Sequence, residues 1–550
     1  MRNGWYPERR VAAEPRAHPN DDHRAPRKHT GAAAFVVALG IFGSRVLGLV
    51  RQSLVARYLG ATIASDAWVM AFKIPNVLQN LFGEGALSAA FIPVYARLIA
   101  RGEDEAADRL AGAVAAMLAV VVSVIVLAGI AAAPLLTYVI APGFTGEKRA
   151  LTVELVRILF PGMGLLVLFA WGLGVLNSHR RFLVSYTAPM AWNVVMIAGL
   201  LWWGRDADKG HVVTMVAWAS VVGSLFQFLF TVPSVRAVAP HVRIAFDSGS
   251  EHVRAVFRAF GPAFLSRGVV QISSFVDQIL TSLLPNGAVA IFGYAFTLYL
   301  LPVSLFGTSV SVAELPEMSR VAHDGDEATS MLRGRIDAGL RRIAFLVVPS
   351  AVAFVAIGDV MVRLIFQHGE FTALDTVYTW AVLCGSAVGL LAGTLGRLYS
   401  STYYALRDTR TPLRFAVVRL LLTTLLGAAF ALLVPRMLGI DPRWGVAGLS
   451  ASAGVAAWVE FLLLRSRLNR RIGSTGLSGR YAATLWGLAV ASAGVAVLVQ
   501  RATLGWRPMV AGILVIAVYG TAYLGGAMAL QVREARGVVG GLGRRFRPAR

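Results

Sequence analysis

Cysteine is almost missing from this chain: Cys384 is the only one in 550 residues. That excludes a disulfide framework, a cysteine metal cluster and a thiol redox motif. Charge is scarce as well, with 15% Asp, Glu, Lys and Arg against 56% hydrophobic residues, where soluble domains carry about a quarter charged. No Walker loop, dinucleotide fingerprint, HExxH or nucleophile elbow stands in a fitting context, and no carboxylate pair accompanies a nucleophile. This argues against an enzyme. The first thirty residues lack an apolar centre, so they do not read as a cleavable signal peptide. They are polar and rich in Pro and Arg, and are expected to form a disordered basic tail able to touch anionic lipid.

Long apolar runs dominate the rest. They recur from about residue 34 to 530, each near the twenty residues that cross roughly 30 Å of hydrocarbon. Ala, Gly, Leu and Val fill them, as helix packing in lipid prefers; short alternating strands of a barrel are missing. The fold class is therefore an all-α polytopic membrane protein. Fourteen spans are expected near 34–59, 65–97, 109–140, 151–177, 183–204, 211–235, 256–284, 288–318, 336–366, 375–405, 413–434, 445–467, 481–500 and 509–530.

The net charge of +22 does not call for nucleic acid, because the basic residues sit mostly between spans. The two tails and the even-numbered loops hold about thirty Lys and Arg, against fewer than ten in the odd loops. By the positive-inside rule both termini are expected in the cytoplasm of a bacterial inner membrane.

An internal repeat is visible. LFGEGALSAAFIPVYAR (81–97) resembles LFGTSVSVAELPEMSR (305–320), and APGFTGE (141–147) answers QHGEFTALD (367–375), at offsets close to 225 residues. Six spans fall within each offset, so the copies share one orientation. The expected organisation is a tail (1–30), an N-lobe (31–240), a C-lobe (250–470), spans 13 and 14 (478–532) and a second basic tail (533–550). Parallel repeats are a usual transporter plan, with the substrate between the halves. Pro75, Gly83 and Gly85 in span 2 and Pro302 and Gly307 in span 8 occupy matching places and are candidate hinges.

Charges inside the apolar runs mark the candidate site. The stretch 44–97 carries Arg45, Arg51, Arg57, Asp66, Lys73 and Glu84. Arg45 and Arg51 lie six residues apart, roughly 600° of turn, so they diverge by about 120° and can line one wide cavity. Span 7 contributes Arg267 and Asp277, and span 10 Arg397. Guanidinium groups stay charged when buried and match phosphate oxygens two at a time. Arg45, Arg51, Arg267 and Arg397 are the candidate anion-binding groups of a central chamber; Asp66, Glu84 and Asp277 are gating groups or charge partners. The plainer alternative pairs each arginine with one of those carboxylates or sends it to an interface, which suits Arg57. Asp66, just after Ser65, also reads as the N-cap of its own span.

SRVLGLVRQ, ASDAWVMAFKIPNVLQNLFGEGALSAAFIPVYA, APGF, RILFPGMGLLVLFAWGLGVLNSHRRF and YYALRDTRTP together resemble the MurJ (MviN) family, the lipid II flippases of peptidoglycan synthesis in the multidrug/oligosaccharidyl-lipid/polysaccharide exporter superfamily. The resemblance covers about residues 34–530. It implies fourteen helices, two six-helix lobes around a cationic cavity, and a groove for the undecaprenyl tail at spans 13 and 14. It also implies alternating access driven by membrane potential or a cation gradient, with no bound cofactor. Arg45, Arg51 and Asp66 match the family's functional positions. Two places depart from the pattern: Gln79 and Asn80 stand where an arginine pair is usual, and Phe296, Thr297 and Leu300 where span 8 usually carries charges. The alternatives are a flippase for another polyprenyl-linked saccharide, a cation-coupled exporter, or a non-transporting partner of cell-wall synthases.

Overall fold

The computed structural model describes residues 30–246, 250–321 and 325–537; for 30–39, 41, 83–86, 88, 89, 182, 186 and 261–274 it describes the backbone alone. Every regular element among the described residues is helical. The physical reason is that lipid offers no partner for a backbone N–H or C=O, so each spanning segment must satisfy its own.

The first half runs α1 (Thr30–Leu59), α2 (Ile63–Leu78, continued by π-helical Gln79–Leu87 and by Ser88–Ala100), α3 (Asp104–Ile140), α4 (Gly146–Ser178), α5 (Phe182–Trp203) and α6 (Lys209–Val238). The second half runs α7 (Glu251–Ser282), α8 (Ala288–Pro302, π-helical Val303–Thr308, Ser309–Val321), α9 (Asp326–Ala356, then Gly358–Phe366), α10 (Ala373–Ala405), α11 (Arg410–Ala428, continuing to Leu438) and α12 (Gly445–Ile472). Two more follow, α13 (Gly479–Ala502) and α14 (Pro508–Ala529). Eleven helices among the described residues are long and apolar enough to cross a membrane. With α1, α2 and α7, whose description is partly of the backbone alone, the helical segments number fourteen.

Two details differ from the expected spans. The ninth is broken at Ile357, where Gly358 lets Trp380 approach to 2.8 Å of the position a Cβ would take. It also starts ten residues early, at Asp326, through a polar stretch that hydropathy does not mark. Arg335 pairs with Glu317 at 3.0 Å and Arg342 with Glu314 at 2.9 Å, joining α9 to the end of α8.

Small residues set the helix contacts. A Cβ on Gly389 (α10) would lie 2.3 Å from Gly454 Cα (α12), and one on Gly385 2.5 Å from the Ala447 carbonyl oxygen. Backbones this close gain dispersion that no larger side chain would permit. The α7 helix straddles the molecule: it packs on α2 and α3 of the first half and on α8, α11 and α12 of the second. Phe260 there meets Phe82 of α2 at 5.6 Å between ring centroids.

Connections α1–α2, α3–α4 and the other odd ones turn at one face, the even ones at the other. At the odd-loop face the halves are joined. Arg57 O accepts the Glu370 N–H at 2.8 Å, Tyr294 Oη donates to Gly60 O at 2.9 Å, and Lys209 pairs with Glu370 at 3.1 Å. Gly287, at φ +90°, could carry no Cβ, since Ala61 O would lie 2.4 Å from it.

The α10–α12 contact is testable. Gly389→Leu should cost about 1–3 kcal/mol by overpacking, read as a lower unfolding midpoint in detergent. Gly396→Ala, which meets open space, should stay within about 0.5 kcal/mol. Equal midpoints for the two would show that the close approach is not a structural requirement.

Candidate functional site: a charged cavity between the halves

Between α1, α2, α7 and α8 lies a cavity of about 250 Å³. Its polar lining is Arg51, Gln52, Lys73, Asn76, Asp277 and Gln278, and its walls are aromatic. Arg51 reaches it from α1 with its guanidinium 4.7 Å from the Trp192 ring centroid of α5, a contact that favours a cation in a desolvated place. Lys73 lies two helical turns beyond Asp66 on α2, so both project toward the same side. From α7, Asp277 stands within the electrostatic reach of Lys73 and Arg419. It also lines a second cavity of about 100 Å³ with Tyr299, Ser450 and Arg419. Arg419 is itself paired with Glu460 at 2.9 Å.

The lining is left incomplete. Arg51 Nε, Asp277 Oδ1 and Gln278 Oε1 are buried and make no hydrogen bond among the described residues. An unpaired buried polar atom costs about 1–3 kcal/mol, more when charged. The cavity thus presents donors and acceptors together, without partners.

Asp66 behaves in the opposite way. It is fully buried at the odd-loop face and satisfied by three donors: Lys148 Nζ at 2.5 Å, Gly287 N–H at 2.7 Å and Ala290 N–H at 2.8 Å. The last two belong to the start of α8, where unpaired N–H groups and the helix dipole favour an anion. The expectation that Asp66 caps its own helix is therefore corrected. Ser65 Oγ accepts the Thr62 N–H of α2 at 2.8 Å, which leaves Asp66 to cap a helix of the other half. Lys148 also donates to Asn286 Oδ1 at 3.2 Å and lies 4.0 Å from the Phe144 ring.

The remaining predicted residues are spread out. Arg45 is exposed between one and two turns before Arg51 and donates to Ser304 Oγ of α8 at 3.1 Å. Arg397 is exposed on α10, nearer the even-loop face. Arg267 and Glu84 lie outside the residues whose side chains are described. Gly83 and Gly85 fall in the π-helical stretch of α2, which begins four residues beyond Pro75; Pro302 immediately precedes that of α8, which holds Gly307. Sequence reasoning counted Lys73 among the charges of the candidate stretch but gave it no role, and it did not select Lys148, Gln278, Trp192 or Arg419. Lys73 had a signal, a charge inside an apolar run. Lys148 had none, because it stands in the polar first turn of α4.

Comparison with known proteins decides the family. The family model described as lipid II flippase MurJ matches residues 55–519. The chain belongs to that family. A lipid II flippase MurJ of Burkholderia cenocepacia is 32% identical over 436 residues, 78% of this chain and 81% of that protein. A probable lipid II flippase MurJ of Rickettsia prowazekii is 30% identical over 437 residues, 79% of this chain and 83% of that one. A solved structure of the lipid II flippase MurJ in an inward closed conformation covers 90% of this chain and is itself covered to 98%, with a TM-score of 0.73 at 22% identity, which supports the fold. Arg45 and Arg51 precede the matched MurJ range, whereas Asp66, Lys73 and Asp277 lie inside it.

The Asp66 junction predicts how the odd-loop face opens. In a Cys384→Ser chain carrying Ala61→Cys, an impermeant maleimide added from that side should label slowly. Adding Asp66→Ala should speed labelling about tenfold or more, since breaking a buried ion pair costs roughly 3–5 kcal/mol. An unchanged rate would show that the carboxylate does not hold the seal.

Proposed function

We propose that this protein moves lipid II, an undecaprenyl-diphosphate-linked peptidoglycan precursor, from the inner to the outer leaflet of the bacterial plasma membrane by alternating access. Both termini are cytoplasmic in this reading, so the odd-loop face is external and the described state is closed to the outside. The basic even loops and tails support that orientation. The observation that carries the proposal is the cavity with two cations, Arg51 and Lys73, under a sealed external face, in a chain of the MurJ family.

A diphosphate supplies acceptors for Arg51 Nε and the Lys73 ammonium, and charge-assisted hydrogen bonds to phosphate are the strong ones. Arg45, at the α1–α8 contact, and Arg397 lie on the cytoplasmic side, where they draw the headgroup inward; Arg267 is a further candidate of the same wall. The undecaprenyl tail fits the apolar space by the C-terminal helices. There a cavity of about 400 Å³ runs between α9, α10 and α13, lined by Val355, Cys384, Val388, Trp486 and Val490. Opening outward requires Asp66 to let go of α8. The π-helical breaks of α2 and α8, at matching places in the two halves, supply the bend, since their hydrogen-bond ladder is already interrupted. The membrane potential or a cation gradient drives the cycle, the diphosphate being the moving charge.

The test is complementation in a bacterium depleted of its own lipid II flippase, following growth and externally accessible lipid II. The intact chain should rescue both. Arg51→Ala and Lys73→Ala should each weaken headgroup binding about ten- to a hundredfold and abolish rescue while the protein remains in the membrane. Full rescue by both variants would overturn the mechanism.

A further inference from the structure

At the even-loop face three helices end in a backbone conformation that side chains rarely adopt. Arg180 after α4, Arg407 after α10 and Gln531 after α14 have φ of 59°, 57° and 54°, while the other nine positive-φ residues among those described are glycine. In this left-handed region a Cβ crowds the following carbonyl oxygen, so glycine is the usual residue there. The local hydrogen bonds repeat from end to end. The Arg180 N–H donates to Asn177 O at 3.1 Å and the Arg181 N–H to Leu176 O at 2.9 Å. The Arg407 N–H donates to Tyr404 O at 3.0 Å and the Asp408 N–H to Tyr403 O at 2.9 Å. After α2 the same turn is made with Gly102, whose N–H donates to Ile99 O at 3.0 Å. The turn itself does not ask for arginine, yet arginine stands in it at matching places of the repeat near 225 residues.

What arginine adds at such a point is a charge on a fixed stem. Arg180 and Arg407 are exposed, and neither pairs with a carboxylate among the described residues. Topology alone does not require the charge at the strained position, since Arg181 and Arg410 stand close by in the same loops. Exposed apolar side chains flank both sites: Leu183 three residues beyond Arg180, Tyr404 three before Arg407 and Leu413 six beyond it. A free guanidinium at the end of a membrane helix, beside exposed apolar side chains, matches an amphiphile with a phosphate head. The guanidinium takes two phosphate oxygens while the apolar side chains lie along the first acyl carbons. We propose that Arg180 and Arg407 are a matched pair of headgroup sites for anionic phospholipid, one on each half, and that the chain accepts backbone strain at both to hold them. The pair ties both halves to one headgroup layer. Gln531, uncharged and outside the repeat, carries the same strain without the charge. The inference goes beyond the transport reading and does not depend on the cargo.

The experiment takes the purified full chain in a neutral detergent, with phosphatidylglycerol and zwitterionic phosphatidylcholine as probes. It reads the unfolding midpoint and, by native mass spectrometry, the affinity for each lipid. The intact chain should bind phosphatidylglycerol more tightly. Arg180→Gly and Arg407→Gly should each raise the lipid-free midpoint by about 1–2 °C as the backbone strain is relieved. Each should also weaken phosphatidylglycerol binding about fivefold, the worth of one basic residue at an anionic lipid surface. Gln531→Gly should raise the midpoint as much and leave both lipid affinities unchanged. Undiminished phosphatidylglycerol affinity in a chain carrying both arginine substitutions, or equal affinity of the intact chain for the two lipids, would overturn the proposal. A lower midpoint in the two arginine variants would overturn it as well, by showing that contacts within the protein hold these side chains. If the variants lost affinity for soluble polyglutamate and kept it for phosphatidylglycerol, the face would belong to an acidic protein and the lipid sites would fall.

Discussion

A carboxylate removed from water must be compensated by donors, and Asp66 draws its donors from both halves of the molecule. Lys148 comes from α4, and two backbone N–H groups come from the start of α8. Such a group tolerates no intermediate position. With every partner in place it is strongly held; with α8 withdrawn it is a buried charge facing one lysine, which costs several kcal/mol. The neighbouring contacts share this all-or-none character, because Gly287 against Ala61 and Gly369 against Arg57 are backbone approaches that admit no side chain between them. Two discrete arrangements of the halves follow more naturally than a continuum.

The cavity is built on the contrary principle. Asp277, Gln278 and Arg51 keep buried atoms without partners among the described residues, a state that lowers stability. Asp66 is fully buried and Asp277 half-buried, both acids in helices of the same membrane protein. They differ in that one closes the structure and the other leaves it waiting. Arg419 is paired with Glu460 and lies within electrostatic reach of Asp277, so these three groups of the second half sum to one negative charge, opposite in sign to Arg51 and Lys73 of the first half.

The departures from the family pattern gain a physical reading from this arrangement. Gln79 and Asn80 open the π-helical stretch of α2, while Asn76, one turn before Asn80, lines the cavity. The cations that line the cavity are then Arg51 and Lys73. Phe296 replaces a charged position with a ring stacked between two others, exchanging Coulomb attraction for shape and apolar contact.

Hydropathy alone determined the fold class and the number of membrane segments, since apolar runs in lipid leave the backbone only one self-satisfied form short of a closed barrel. The repeat near 225 residues likewise marked where both helices would be interrupted: Gly83 and Gly85 in one half and Gly307 in the other lie in π-helical turns. Of the four arginines expected in the chamber, Arg51 lines the cavity, and Asp277, expected as a gating group or charge partner, lines it too; both drew notice because a charge inside an apolar run is tolerated only beside a cavity or a partner. The partner of each charge was not legible. Asp66 looked like the cap of its own helix, and only the packing of α8 against α2 made it the cap of another, across 221 residues of chain. Lys148 and Trp192 gave no local sign, since a lysine in a polar first turn and a tryptophan in an apolar run are ordinary. Pairing across that distance is set by how helices from two halves meet, a long-range geometry that no periodicity within either segment records.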